Sequence, residues 1–294
     1  MKVAIFGQQY QENALNSIHV LLNCLTAHGA NLLIEENFAQ QLKNNDVLDL
    51  KSRQIGVYNN LDKSFDLLVS IGGDGTILRA ITGVKDLGIP IVGINTGRLG
   101  FLATVQINEI ERAFNDIYKG NYTISSRSLV AVATNPSHPD LDDINFALNE
   151  IAVSRKNTTS MISVETQLND EYLTNYWSDG LIVSTPTGST GYSLSCGGPV
   201  IIPQAGNFVI TPIAPHNLNA RPLVIPDSTK ITLKVNSREE DFLLSLDSRL
   251  VSLSTQTEVV ITKAHFKIKM IELKYDSFIS TLRKKMLWGE DKRN

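Results

Sequence analysis

The chain has 294 residues, of which 42% are hydrophobic, and a net charge of −3 with both signs scattered along the sequence. This length allows one large or two medium domains with well-buried cores, and the weak charge gives no indication of a nucleic-acid surface. The longest apolar runs are too short to span a membrane, and the first residues are typical of a strand rather than of a signal peptide. The two cysteines, Cys24 and Cys196, are far apart, which predicts a cytoplasmic protein without a disulfide framework.

The first part of the chain alternates between short apolar strands and amphipathic helices. Apolar spacing predicts a helix over 12–28 that stops at Gly29, and the polar stretch 35–63 predicts a loop with one short helix. Asn108 and Glu111 predict a capping box that opens a helix to about residue 118. The predicted strands are 3–6, 32–34, 67–71 and 89–94. This alternation predicts an α/β domain with a parallel sheet covered by helices.

Strand patterns dominate from residue 128 onward, and no helix of useful length is evident there. Asn169-Asp170 separates two alternating runs and predicts a hairpin turn. We therefore expect an all-β domain built as layered sheets or a sandwich. The predicted strands are 129–133, 162–168, 181–184, 208–213, 230–236, 242–246, 259–262 and 266–271.

The tail at 277–288 has helical periodicity and is predicted to return to the first domain. One side of this helix is expected to carry Phe278, Ile279, Leu282 and Met286. The predicted domains are then an α/β domain at 1–122, joined by 276–294, and an all-β domain at 123–275.

A glycine-rich turn follows the predicted strand 67–71 and precedes a helix-like run. Glycines at such a turn let backbone N–H groups approach a phosphate, and the helix N-terminus adds positive potential. A carboxylate at this place repels phosphate, so Asp74 is predicted to bind a cation or to take a proton from a hydroxyl during phosphoryl transfer. Arg79, expected on the first helical turn, either reaches a phosphate or lies on the surface. The predicted phosphate cradle consists of Gly72, Gly73, Gly75 and Thr76.

A second polar segment, 184–193, is dense in hydroxyls and glycines. It predicts a loop that binds a polar ligand, with Tyr192 placed to stack on a base, and a solvated loop is the alternative. Asn149-Glu150 and Asp179 interrupt apolar strands, so they either face water or line a site. Asp247 is interpreted as a β-turn residue.

No His/Cys cluster has the spacing of a metal site. Any metal is therefore expected to be Mg²⁺ that arrives with nucleotide phosphates.

These motifs together resemble the bacterial NAD kinase family nearly end to end. The turn at 72–76 is also shared with diacylglycerol kinases, sphingosine kinases and phosphofructokinases, whereas the long block 178–199 is highly specific. The resemblance implies transfer of the γ-phosphoryl group of ATP to the 2′-hydroxyl of the adenosine ribose of NAD, in a homodimer or homotetramer. The matching segments are 72–76, 95–102, 148–150, 178–190, 216–223 and 287–289.

The resemblance implies that Asp74 is the catalytic base and that the all-β domain binds NAD. Trp177 stands where some relatives carry a basic residue, which leaves the preference between NAD and NADH open. The expected substrate-binding residues are Gly75, Arg79, Phe101, Asn149, Glu150, Asp179, Thr187, Thr190, Gly191, Tyr192, Ser193, Leu194, Ser195 and Ala214.

Two alternatives remain from the residues alone. The same phosphate turn suits a lipid or sugar-phosphate kinase, although no basic amphipathic helix supports membrane binding. A non-catalytic nucleotide sensor is the other, and it has no need of a carboxylate at position 74. A serine hydrolase that uses Ser189 and His216 is remote because the Gly-x-Ser-x-Gly elbow is missing.

Overall fold

The computed structural model describes residues 1–8, 15–45, 54–157 and 160–287. The chain forms two compact units, Met1–Ser126 with Ile268–Asn294, and Arg127–Lys267. Within the described ranges, no helix is long and apolar enough to cross a membrane.

The first unit is a parallel α/β sheet with helices, as the alternating pattern predicts. The strand order is β18-β5-β4-β1-β2-β3, with β6 beside β5, and these neighbouring strands are parallel. Its elements are β1 Lys2–Gly7, α1 Leu15–Ala27, β2 Asn31–Glu35, α2 Glu36–Asn44, β3 Gly56–Tyr58, β4 Leu67–Ile71, α3 Asp74–Val84, β5 Ile91–Asn95, β6 Val105–Gln106, α4 Ile110–Tyr118, the end of β18 (Glu258–Leu273) and α6 Phe278–Met286.

The core of the first unit explains why these segments form these elements. Strands β4 and β5 are buried along their whole length, as expected for central parallel strands that are covered on both faces. Helix α1 buries Ile18, Leu21, Leu22 and Leu25, whose three- and four-residue spacing places them on one face. The carboxyl ends of β4 and β5 therefore lie side by side, and the loops that follow them begin at neighbouring positions.

The second unit consists of two antiparallel sheets that share one hydrophobic core. One sheet has the order β11-β10-β15-β18, and the other has the order β14-β13-β12-β9-β16-β17. Leu233 of the first and Phe208 and Leu244 of the second belong to the same buried cluster. The elements are β7 Tyr122–Asn135, β8 Phe146–Ala147, β9 Glu150–Arg155, β10 Ile162–Leu168, β11 Glu171–Ser178, β12 Gly180–Ser184, α5 Tyr192–Ser195, β13 Asn207–Ile213, β14 Leu223–Pro226, β15 Ile231–Asn236, β16 Asp241–Leu246, β17 Arg249–Ser254 and β18, whose last residues belong to the first unit, as the first residues of β7 do.

Several sequence predictions are confirmed. The α/β unit, the all-β unit and the C-terminal helix, which belongs to the first unit, are all present. The hairpin turn at Asn169-Asp170 joins β10 and β11, and both residues have positive φ, 50° and 69°, as a tight two-residue turn requires.

Other predictions are corrected. The capping box lies at Gln106 and Glu109, two residues before the predicted one, because a short 3₁₀ turn precedes α4. The two predicted strands at 259–262 and 266–271 are one continuous strand, β18, since the residues between them remain extended. In α6, Ile279 is 54% exposed and Leu282 is buried, so the predicted apolar side is only partly covered.

Parts of five predictions lie outside the described residues. These parts are 12–14 of the first helix, 46–53 of the polar stretch, 288 of the C-terminal helix, 288–289 of the closing motif and 288–294 of the segment assigned to the first domain. The described part of the polar stretch contains the predicted short helix, α2, and in addition the short strand β3, which was not predicted.

Candidate active site

Asp74 occupies the first turn of helix α3, directly after β4 and the glycine pair. Gly73 is the N-cap residue of this helix, so Asp74, Gly75 and Thr76 belong to its first turn rather than to a separate loop. The first N–H groups of a helix have no acceptor within the helix, and they give its N-terminus a positive potential. The predicted cradle is therefore a helix N-terminus.

The cradle is open at two of its glycines. Gly73 and Gly75 are exposed, and no atom lies within 4 Å of the position that a Cβ would take at either residue. The N–H of Gly72 donates to the Ile94 carbonyl at 2.9 Å, and the N–H of Thr76 donates to the Gly73 carbonyl at 3.0 Å. Space for a phosphate therefore exists beside Gly73 and Gly75.

The Asp74 carboxylate accepts hydrogen bonds from three consecutive backbone N–H groups of the loop that follows β5. Oδ1 accepts from Leu102 at 3.0 Å and Ala103 at 2.9 Å, and Oδ2 accepts from Phe101 at 2.8 Å. An ionised carboxylate offers about four lone-pair sites. These contacts occupy both sites of Oδ1 and one site of Oδ2, so Oδ2 is the oxygen that can accept one more proton donor.

Gly100 makes this arrangement possible. A Cβ at position 100 would lie 1.9 Å from Oδ1 of Asp74, which no side chain tolerates. The loop therefore wraps around the carboxylate only because residue 100 has no side chain. Asn95 supports the same loop, since its side chain donates to the carbonyls of Arg98 at 2.7 Å and Ala103 at 3.2 Å.

Arg79 does not lie where the sequence pattern places it. Helix α3 begins at Asp74, so Arg79 is in the second helical turn, and its side chain is exposed. The helix starts earlier than predicted, so that Gly75 and Thr76, which were assigned to the turn, are part of it.

In the second unit, Asp247 organises the segment that contains Asn149 and Glu150. Its carboxylate accepts from the backbone N–H groups of Leu148 at 3.0 Å, Asn149 at 2.8 Å and Glu150 at 3.2 Å. Asp247 has φ 51° and lies in the turn between β16 and β17, so the predicted turn is confirmed. The sequence did not predict the hydrogen bonds from Leu148, Asn149 and Glu150 to Asp247, because these partners are about 100 positions away along the chain.

Glu150 is a buried acid beside the Asp247 clamp, which is the name used here for a carboxylate that accepts three consecutive backbone N–H groups. Burial, together with the negative charge of Asp247, raises the pKa of Glu150 to about 8, and a hydrogen bond from the backbone of Tyr192 opposes this shift. Its Oε2 atom is buried and has no hydrogen-bond partner among the described residues. Glu150 is therefore protonated at neutral pH and has an unused polar atom.

The hydroxyl-rich segment folds into two short helical turns rather than an open loop. The first is a 3₁₀ turn over Gly188–Thr190, and the second is α5. Gly188 packs against the backbone of Asn149, since a Cβ there would lie 2.0 Å from the Asn149 carbonyl oxygen. The two predicted motifs of the second unit are therefore brought into direct contact.

Many hydroxyls of this segment are bonded within the fold. Ser189 Oγ donates to the Pro186 carbonyl at 2.7 Å, and Thr190 Oγ1 donates to the Thr187 carbonyl at 3.2 Å. Ser193 Oγ pairs with Thr211 Oγ1 at 2.8 Å and is buried. Tyr192, 46% exposed, and Ser195 are exposed side chains of this segment, and Leu194 is half-buried.

Asp179 and Ala214 are near the same end of β12 and β13. Asp179 forms an ion pair with Arg155 at 3.0 Å, and its N–H donates to the Ile213 carbonyl at 2.9 Å. Ala214 follows β13, is exposed and has φ 45°. His216 is exposed, and its N–H donates to the Trp177 carbonyl at 2.7 Å.

A carboxylate with one unfilled acceptor site, held at the N-terminus of a helix that follows a parallel strand, is the arrangement of a phosphotransferase that acts on a hydroxyl group. Comparison with known proteins gives the family. The ATP-NAD kinase N-terminal domain matches residues 3–122, and the ATP-NAD kinase C-terminal domain matches residues 148–273. The chain belongs to the NAD kinase family.

Relatives of known name agree over the whole length. The NAD kinases of Christiangramia forsetii and Flavobacterium psychrophilum are each 55% identical over 294 residues, which is 100% of both chains. An NAD kinase from Archaeoglobus fulgidus, solved in complex with ATP, has a TM-score of 0.75 at 26% identity and covers 98% of this chain and 99% of its own. Yeast NADH kinase complexed with NADH shares the fold, with a TM-score of 0.84 at 22% identity over 99% of this chain and 88% of its own.

Proposed function

We propose that this protein is an NAD kinase, which transfers the γ-phosphoryl group of ATP to the 2′-hydroxyl of the adenosine ribose of NAD and forms NADP and ADP. The observation that carries this proposal is the Asp74 carboxylate, held by three backbone N–H groups with one acceptor site of Oδ2 left over. Full-length relatives named NAD kinase at 55% identity support the choice of substrates.

The proposed step needs little covalent chemistry from the protein. The ribose O–H bond breaks and its proton passes to Oδ2 of Asp74, while the ribose oxygen forms a bond to the γ-phosphorus. The bond between the γ-phosphorus and the β,γ-bridging oxygen breaks, and its electron pair leaves with ADP. Because the transition state of phosphoryl transfer is loose, positioning and charge stabilisation contribute most of the rate, and the base contributes on the order of 10²–10⁴-fold.

The phosphates of the donor are proposed to bind at the N-terminus of α3. Gly73 and Gly75 offer open space there, and the unpaired N–H groups of the first turn favour an anion. Gly72 and Thr76 shape this turn through their own backbone hydrogen bonds. Arg79 is proposed to reach the outer phosphates from the next turn.

Mg²⁺ is proposed to arrive with the phosphates of ATP. Across the described residues, no three His, Cys, Asp or Glu side chains are grouped to hold a metal ion, which suits a cation that is bound mainly by phosphate and water. When bound, Mg²⁺ would neutralise charge on the β- and γ-phosphates. The residues of the chain that position the phosphates are those of the α3 N-terminus.

The adenosine half of NAD is proposed to bind to the second unit. Asn149 offers a side-chain amide, and neutral Glu150 offers an O–H donor beside an unused oxygen. The exposed ring of Tyr192 is proposed to stack on a base. The further contacts proposed in the second unit are Asp179, Thr187, Thr190, Gly191, Ser193, Leu194, Ser195 and Ala214. Phe101, in the first unit, is a separate proposed substrate contact.

The protein is also proposed to act in the cytoplasm as a homodimer or homotetramer. Tyr172, Trp177 and Leu218 support contacts between copies, because these apolar side chains are 61%, 58% and 89% exposed. Light scattering after size-exclusion chromatography measures the assembly, and a monomer at micromolar concentration would contradict this part.

The function is tested by incubating the purified protein with NAD, ATP and MgCl₂ and by following NADP with an NADP-specific dehydrogenase. Parallel reactions replace NAD by NADH, a sphingoid base, a diacylglycerol or a sugar phosphate, and replace ATP by polyphosphate. Turnover of NAD or NADH with ATP is the expected outcome. Binding of the nucleotides without any transfer would support the non-catalytic sensor instead.

A further inference from the structure

The last turn of helix α6 contains three basic residues, of which one approaches the Asp74 carboxylate. These residues are Arg283, Lys284 and Lys285. Lys285 Nζ lies 4.0 Å from Oδ2 of Asp74, the oxygen with the unfilled acceptor site. The same Nζ lies 4.6 Å from the centre of the Phe101 ring.

Helix α6 contacts Phe101, in the loop that follows β5, through residues near both of its ends. Phe278, its first residue, packs on Phe101 with ring centroids 6.1 Å apart, and Lys285, in its last turn, lies over the same ring. A cation over an aromatic face is attracted by the negative face of the ring. The ring of Phe101 therefore holds the ammonium group beside Asp74, and the backbone N–H of Phe101 holds the carboxylate.

The distance of 4.0 Å leaves room for a substrate atom. A direct bond between an ammonium and a carboxylate is about 2.7–2.9 Å long, so the two groups are not closed into a tight pair. A hydroxyl oxygen can lie at about 2.8 Å from both groups at once, since it accepts from Nζ and donates to Oδ2. The remaining N–H donors of Lys285 can then reach an anionic oxygen beside that hydroxyl. Lys285 is 36% exposed, and its three N–H donors are thus accessible to a ligand.

We propose that Lys285 binds a non-bridging oxygen of the phosphoryl group that is transferred, and that it thereby places a positive charge beside the Asp74 carboxylate. This inference rests on the proposed function. A carboxylate base and a γ-phosphate that meet at one hydroxyl repel each other, and an ammonium group that contacts both reduces this repulsion. Lys285 neither takes nor gives a proton in the step.

Lys284 provides a matched control on the same helix. It lines a small polar cavity with Leu99, Gln106 and Glu109. Lys284 and Lys285 both lie at the negative end of the helix dipole, where a positive charge is favourable. Each Gln variant removes one such charge, so the effect of the dipole is the same in both and cancels when they are compared. A contact with the transferred phosphoryl group is proposed for Lys285 alone.

The experiment compares the full-length wild type with Lys284→Gln, Lys285→Gln and Lys285→Arg. Steady-state NADP formation gives kcat and the KM values for ATP and for NAD, and calorimetry gives the affinity for a non-hydrolysable ATP analogue with Mg²⁺. We expect Lys285→Gln to lower kcat/KM for ATP by about 10- to 100-fold, as for loss of a hydrogen bond between charged groups, with the KM for NAD changed less than about twofold. Lys284→Gln is expected to match the wild type, and Lys285→Arg is expected to keep most of the rate.

The outcomes separate this inference from the proposed function. If the wild type forms NADP and the two Gln variants are equally active, the role of Lys285 is wrong. A lowered melting temperature in Lys285→Gln with unchanged kcat, KM and affinity for ATP would also overturn it, since that is the result of a purely structural contact. If the wild type forms no NADP, the proposed function fails, and equal affinities of the two Gln variants for the ATP analogue would then overturn the inference separately.

Discussion

Asp74 in the first unit and Asp247 in the second are held by the same device. Each carboxylate accepts three consecutive backbone N–H groups, from residues 101–103 and from residues 148–150 respectively. The difference lies in what surrounds the remaining acceptor site. The Asp74 side chain is 27% exposed and has an ammonium group 4.0 Å away, whereas burial dominates at Asp247 and raises its pKa despite the three N–H donors.

This comparison shows that a backbone clamp does not by itself indicate chemistry. The clamp at Asp247 fixes the loop that presents Asn149 and Glu150, and its free energy contributes to the fold. The clamp at Asp74 fixes the carboxylate relative to a helix N-terminus and leaves one oxygen accessible. We therefore expect substitutions at Asp74 to change the rate most, and substitutions at Asp247 to change stability most.

The largest expected effect is that of Asp74→Asn. The amide is isosteric and keeps one acceptor oxygen for the loop, but it cannot take a proton, so kcat should fall by about 10²–10⁴-fold while the fold is retained. Steady-state assays and thermal unfolding measure the two quantities. Asp86→Asn, an exposed aspartate of the same unit, is the control. A near-normal rate in Asp74→Asn would show that this carboxylate is not the base.

Gly100→Ala tests whether the clamp at Asp74 is needed. The added Cβ would lie 1.9 Å from Oδ1, so the loop or the carboxylate must shift. A shift of about 1 Å at a reacting group can lower the rate by about 10²-fold. Gly97→Ala in the same loop is the matched control, because no atom lies within 4 Å of its added Cβ. Equal rates in the two variants would refute a requirement for the clamp.

Asp247→Ala should lower stability more than it lowers the rate, which is the reverse of the expectation for Asp74→Asn. It leaves the N–H groups of Leu148, Asn149 and Glu150 without their acceptor, and we expect a loss of about 2–4 kcal/mol in the free energy of unfolding. Chemical denaturation measures it, with exposed Asp143→Ala as the control. A fall in kcat as large as that of Asp74→Asn, with unchanged stability, would contradict a mainly structural role for Asp247.

Tyr192→Ala should weaken NAD binding by roughly 1–3 kcal/mol if the exposed ring stacks on a base. Tyr192→Phe keeps the ring and should retain the wild-type KM. Both KM values come from the NADP assay at saturating ATP. An unchanged KM in the alanine variant would exclude stacking.

Glu150 gives the most specific effect, a dependence of stability on pH. Its pKa is raised to about 8 by burial, whereas an unperturbed glutamate titrates near about 4.3. Between these values the folded state keeps a proton that the unfolded chain has released, so this group makes the free energy of unfolding fall as pH rises from about 4.3 to 8. Below this range its contribution is fully present.

Glu150→Gln remains neutral at every pH and should remove this slope. The stability of the variant relative to the wild type should increase between pH 5 and pH 8 by about 3–4 kcal/mol. Denaturation of the ligand-free protein at several pH values provides the measurement. Parallel curves would show that Glu150 titrates normally.

Much of the fold could be predicted from local patterns. Strands β4 and β10 have the predicted bounds, and the hairpin at Asn169-Asp170 follows from turn chemistry that involves neighbouring residues only. The capping box and the division of β18 were predicted wrongly, because 3₁₀ turns and extended bridging residues leave no strong periodicity.

The candidate site could be predicted only where its residues form a compact motif. Asp74 and the glycines around it are adjacent in sequence, and so are Asn149 and Glu150. Lys285 carries no such signal, since basic residues in the last turn of a helix are common. Gly100 was within a matching motif, but its close approach to Asp74 depends on a fold that brings together residues 26 positions apart.

The sequence by itself determined the two fold classes, the family and the presence of a carboxylate at a phosphate-binding turn, because each of these follows from residues near one another along the chain. Only the tertiary structure decided which oxygen of Asp74 is available, what holds Asn149 and Glu150 in place, and which lysine approaches the carboxylate. These depend on distances between segments separated by about 30 to 200 residues, and such distances follow from sheet order and helix packing rather than from local pattern.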